Sequence, residues 1–116
     1  MKRVLLGILL VSLFVPAFCM AEQIDESRLA DAIYIAEGGE NTSHPYGILA
    51  HYKKTTPRQA CINTIRSAKV RYAKYKGKDD FITFIGRTYC PVGAKNDPTG
   101  LNKNWVKNVT KLYGSK

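Results

Sequence analysis

The sequence is short of most features that announce a known chemistry. It has three cysteines and two histidines in 116 residues. No CxxC pair occurs and no histidine cluster lies near the cysteines, so the spacing excludes a zinc site. No metal and no cofactor is expected. Acidic residues are scarce: 9 Asp and Glu stand against 18 Lys and Arg, a formal net charge of +9. Such a balance favours anionic partners (cell-wall polymers, lipid head groups, nucleic acid) and says nothing about fold. There is no RNA-binding motif and no signature of a DNA-reading module, so no specific nucleic acid is expected as a partner. Internal repeats, linkers and low-complexity segments are absent too, which excludes a solenoid or an array of domains.

Long apolar runs are also missing. The run from Val4 to Phe18 covers about 15 residues, whereas a membrane span needs roughly 20. Lys2 and Arg3 precede it, and the small residues Cys19 and Ala21 follow at −3 and −1 of a cleavage point. This is the pattern of a secretory signal. The expectation is a signal peptide over 1–21 and one domain over 22–116. The protein would be secreted or periplasmic, and not an integral membrane protein after cleavage. Loss of Lys2 and Arg3 lowers the net charge by two. A domain of this size has little room for a large core. Cys61 and Cys90 then remain, and in an oxidising compartment they have one way to pair. Closing a loop of about 30 residues would contribute roughly 3–4 kcal/mol in the chain-entropy model.

The stretch that organises the rest is Ala32-Ile33-Tyr34-Ile35-Ala36-Glu37-Gly38-Gly39. Leu29, Ile33 and Ala36 recur at helical spacing and share an apolar face. Glu37 extends that face, so a carboxylate is carried on the core side at the end of a helix. Gly38 or Gly39 supplies the left-handed residue that ends it. Partial burial and the negative end of the helix dipole both favour a neutral carboxyl group there. A neutral acid is what protonation of a leaving oxygen requires.

The spacing predicts four helices. The first starts at Asp25 or Ser27 and ends at Glu37. The second is capped by Thr56, has Pro57 at its first position, and carries Gln59 as the partner in a capping box. Its apolar stripe is Cys61, Ile65, Ala68 and Tyr72, its exterior is basic, and Gly77 ends it. The third follows Asp79 or Asp80 and holds Phe81, Ile82, Phe84 and Ile85. Pro91 stops it. The fourth begins near Leu101 or Asn102, with Trp105, Val109 and Leu112 buried and Lys103, Lys107 and Lys111 on another face. From Gly38 to Thr56 the pattern is turn and loop, with room for at most a small two-stranded ribbon. Tyr46 and Tyr52 in that stretch are aromatic platforms of the kind that stack on sugars or bases. The fold class is therefore all-α, a small disulfide-stapled domain.

Helix, acid, glycine turn, then aromatic-Gly-Ile: in this order the sequence resembles the lysozyme-like superfamily. It looks most like a minimal form of its lytic transglycosylase and goose-type lysozyme branch. Glu37-Gly38-Gly39 stands for the catalytic motif. Tyr46-Gly47-Ile48-Leu49 stands for the segment lining the sugar cleft, and Tyr89 in Arg87-Thr88-Tyr89-Cys90-Pro91 for the tyrosine near the acid. An Asn-x-Asn-Trp-Val end completes the likeness to small secreted bacterial or phage proteins. The chain departs from the branch where Ser is absent after Glu37 and Cys90 replaces Asn after Tyr89.

The resemblance implies cleavage of the glycan strand of peptidoglycan, with Glu37 as general acid and base. Tyr46, Gly47, Ile48 and Tyr89 would contact substrate, through backbone amides at Gly47-Ile48 and near the acetamido group at Tyr89. The implied partners are peptidoglycan glycan strands and the anionic cell-wall surface. A non-catalytic wall-binding or lysozyme-regulating protein is the alternative. A ribonuclease built on His44 and His51, with Lys53 and Lys54 nearby, is a weaker one. A membrane-active cationic peptide does not fit the capped helices.

Overall fold

The computed structural model describes residues 23–48, 51, 53–89 and 102–115. Among them lie four α-helices: α1 (Glu26–Ala36), α2 (Pro57–Ala73), α3 (Phe81–Tyr89) and α4 (Lys103–Gly114). No strand occurs among the described residues, so the domain is all-α there. In place of the ribbon allowed by the sequence, two 3-10 turns form, Gly39–Asn41 and Pro45–Gly47. The reason is local. Gly38, Gly39, Tyr46 and Gly47 all take positive φ, which curls the backbone instead of extending it. Residues 1–21, expected to be a signal peptide, lie outside the described residues, as do Tyr52, Cys90 and residues 91–101.

The starts of α1, α2 and α3 rest on local chemistry. The Asp25 side chain accepts from the Arg28 N–H at 3.1 Å, and Thr56 Oγ1 from the Gln59 N–H at 3.1 Å. Asp80 Oδ1 accepts from the Thr83 N–H at 2.8 Å. Each bond satisfies a donor the helix start leaves over. The Thr56 box is only half made, because the Gln59 side chain donates to Asn63 Oδ1 at 2.9 Å. The second helix also ends earlier than expected, at Ala73. The N–H groups of Lys74 and Tyr75 bond back to Arg71 and Tyr72 and tighten the last turn. Tyr72 and Tyr75 then donate their hydroxyls to Asp79, at 2.8 and 3.1 Å, and pack with Phe84. The chain is drawn toward α3 before Gly77 is reached.

The principal helix contacts run α1–α2, α2–α3, α3–α4 and α4–α1. This ring encloses one core. Leu29, Ile33, Cys61, Ile65, Ile85 and Val109 are fully buried in it, and burial of each large apolar side chain contributes roughly 1.5–3 kcal/mol. Where α3 meets α4 the closeness depends on Gly86. A Cβ there would lie 2.8 Å from Val106 Cγ2 and 3.2 Å from the Trp105 ring. That approach brings the indole of α4 against Tyr89 at the end of α3 and faces it toward the end of α1.

The staple expected between Cys61 and Cys90 is not formed in this structure. Cys61 is a free thiol, buried on the core stripe of α2 with no exposed surface, while Cys90 lies outside the described residues. The core packing of α2 is thus in place with the thiol reduced.

Candidate active site around Glu37

α1 ends at Ala36 and Glu37 is its C-cap, with its N–H bonded to the Ile33 carbonyl at 2.9 Å and the Gly38 N–H to the Ile35 carbonyl at 3.1 Å. Gly38 follows at φ 111° and Gly39 at φ 56°, so both glycines of the pair are left-handed. The carboxylate is half-buried. Its Oε1 accepts the indole N–H of Trp105 at 2.8 Å. On another side lies Gly47: a Cβ built there would stand 3.0 Å from Glu37 Cδ and Oε2. The acid is thus held between an N–H from α4 and bare backbone from the 38–48 segment.

That backbone belongs to a reverse turn from Pro45 to Ile48. The Ile48 N–H bonds the Pro45 carbonyl at 3.1 Å, and Tyr46 and Gly47 at its centre have φ of 60° and 69°. Positive φ at both central residues marks a type I′ turn, for which glycine is well suited and tyrosine is not. Three contacts hold Tyr46 in it. The Tyr89 hydroxyl donates to its carbonyl. Arg58 Nη1 donates to its hydroxyl at 3.2 Å. Its ring packs on Tyr34 at 5.0 Å between centroids. Arg58 is itself fixed by Asp31 at 2.7 Å and by Ser27 Oγ at 2.8 Å.

The residues expected to form the site therefore do meet. Glu37, Tyr46, Gly47 and Tyr89 surround one point, with Ile48 at the edge, half-buried against the core. Their geometry differs from the expectation in three respects. Tyr46 is 9% exposed, so it is a core residue and not an open platform for a sugar ring. The N–H groups of Gly47 and Ile48 already serve the His44 and Pro45 carbonyls, which removes them as amide donors to substrate. The Tyr89 hydroxyl is committed to the Tyr46 carbonyl.

Trp105 was legible as a core residue but not as part of the site. A buried indole N–H needs an acceptor, yet its acceptor lies 68 residues away in sequence. Its ring stacks on Tyr89, 5.4 Å between centroids and 24° between planes. The Cys61 thiol lies beside the Tyr89 hydroxyl. Burial pushes the Tyr89 phenol far up, and the neighbouring Cys61 and Glu37 add to this. It remains a neutral donor throughout the working range. Burial likewise raises the Cys61 thiol, with the Tyr89 hydrogen bond opposing, so Cys61 is no ready nucleophile.

Two surface grooves lie apart from this cluster. One, of about 310 Å³, runs along α2 past Thr55, Asn63 and Arg71. The other, of about 270 Å³, lies between α1 and α4 at Arg28, Ile35 and Tyr113. His44 and His51 are exposed. Among the described residues no group of three or more His, Cys, Asp or Glu is placed to hold a metal ion, and no helix is long and apolar enough to cross a membrane. No family model, no curated protein and no solved structure matches the chain.

Proposed function

We propose that this protein cleaves the glycan strand of peptidoglycan, with Glu37 acting first as general acid and then as general base. The observation that supports the reading is the setting of the Glu37 carboxylate: half-buried at the end of α1, one oxygen fixed by Trp105, and Gly47 backbone against it. A glycosidic bond breaks when its oxygen is protonated while positive charge builds on the sugar ring. Glu37 in its acid form gives that proton to the leaving oxygen.

Glycosidases usually use two carboxylates. Among the described residues the other acids have different duties. Asp79 is engaged by Tyr75 and Arg87, Asp80 caps α3, and Glu40 is exposed on the turn after Glu37. This favours the route that the lysozyme-like resemblance implies for a lytic transglycosylase. The substrate's own acetamido group stabilises the sugar cation. A substrate hydroxyl then closes the ring and gives its proton back to Glu37, which leaves an anhydro sugar and the acid restored. Exposed lysines, among them Lys103, Lys107 and Lys111 on α4, would hold the enzyme on an anionic wall, an attraction that salt weakens.

A second reading is a non-catalytic wall-binding protein. It is favoured by the amides of Gly47 and Ile48 being taken up inside the turn. Release of dye from labelled peptidoglycan separates the two. The catalytic reading expects release by the parent and a loss of about 10²–10⁴ in Glu37→Gln, with helical circular dichroism unchanged. Binding without release by either protein would support the second reading.

A further inference from the structure

Glu37 has a flexible side chain at the end of a helix, where a carboxylate ordinarily samples several rotamers. Here one oxygen is fixed by a donor from the far end of the chain. We infer that Trp105 is a positioning residue for Glu37: its indole N–H holds Oε1 and leaves Oε2 as the oxygen that carries the transferable proton. The inference rests on the reading of Glu37 as the acid.

The indole is well placed to do this because its own position is fixed from two sides. Its ring stacks on Tyr89. Gly86 lets α3 approach to a distance at which a Cβ would touch the ring at 3.2 Å. Trp105 is 6% exposed and sits on the same helix face as the fully buried Val109. A rigid aromatic with one N–H donor loses little freedom in making the bond, and donation to a carboxylate is stronger than to a neutral acceptor. An indole nitrogen donates and never accepts. The oxygen it holds therefore serves best as the carbonyl-type acceptor of the protonated acid, and the hydroxyl falls to Oε2. That oxygen stands on the Gly47 side, where a side chain of any size would intrude. A Cβ at 47 would stand 3.0 Å from Oε2 and 3.3 Å from Oε1, so glycine there leaves room for the whole carboxylate that Trp105 holds by one oxygen.

Trp105 is the sole tryptophan in the chain, so the protein has one indole N–H resonance. In the parent that proton should resonate downfield and exchange slowly with water. In Glu37→Ala, which removes the acceptor altogether, it should move upfield and exchange faster. An unmoved resonance would overturn the hydrogen bond, whatever the enzymology. The second arm is kinetic. Trp105→Phe keeps an aromatic ring beside Tyr89 and removes the donor, with a smaller ring left in the core. It should lower kcat about ten- to a hundredfold and leave KM within about twofold, with helix content close to the parent at the assay temperature. Parental kcat in Trp105→Phe would show that the indole merely packs. Parent protein that cleaves nothing, or Glu37→Gln that cleaves normally, would overturn the role of Glu37 and with it the positioning role. The resonance arm would then show separately whether the hydrogen bond itself is real.

Discussion

The indole N–H of Trp105 meets the carboxylate of Glu37 at 2.8 Å across 68 residues of sequence. One residue ends the first helix and the other begins the last. Their contact is where the α1–α4 packing becomes chemistry, because it takes an acid from a surface helix end and fixes it against Gly47. Several consequences can be measured.

Gly47 has little freedom to change. At φ 69° a side chain is strained, and its Cβ would lie 3.0 Å from the Glu37 carboxyl carbon. Gly47→Ala should cost about 1–3 kcal/mol in urea unfolding and reduce peptidoglycan cleavage by more than the stability loss explains. A variant as stable and as active as the parent would show that the turn is not pressed against the acid.

Cys61 should behave as a buried, reduced thiol. It has no exposed surface and burial raises it above the usual thiol range. In native protein a thiol reagent should fail to label Cys61. In urea, with no reductant present, peptide mapping should find it labelled. Absence of label at Cys61 in urea until a reductant is added would mean that it is paired after all.

Acid should weaken the join between α1 and α2. Burial raises the Glu26 carboxyl, but Arg66 at 2.9 Å and Lys69 at 3.4 Å outweigh it and hold it below the ordinary glutamate value. A depressed carboxyl contributes stability that is present above its unfolded pKa and lost as the pH falls through the folded one. Glu26→Gln should therefore be less stable than the parent at neutral pH, and the gap should close only as the pH falls below the ordinary glutamate value. A gap of constant size from neutral to acid pH would rule the ion pairs out as its source.

The helix starts were legible because their causes are local. Asp25, Thr56 with Pro57, and Asp80 each carry the cap beside the turn it serves. The core stripe Cys61, Ile65, Ala68 and Tyr72 was legible by spacing, and all four are buried. The end of α2 was not, because what stops it is Asp79 beyond the helix, which receives the hydroxyls of Tyr72 and Tyr75. The meeting of Glu37, Gly47 and Tyr89 was anticipated through the family resemblance. Tyr46 as a sugar platform was not borne out, since Tyr34 and Arg58 come from other helices to cover it. The role of Trp105 needed the fold, for no spacing rule links position 37 to position 105. The staple was inferred from compartment and cysteine count, and neither of these reports on the packing around Cys61.

The most direct test of the central claim is mass spectrometry of purified peptidoglycan after incubation with the parent protein and, in parallel, with Glu37→Gln. The account predicts new muropeptides ending in anhydro sugars from the parent and none from the variant, with both proteins folded. The same products from Glu37→Gln, or none from the parent, would contradict it.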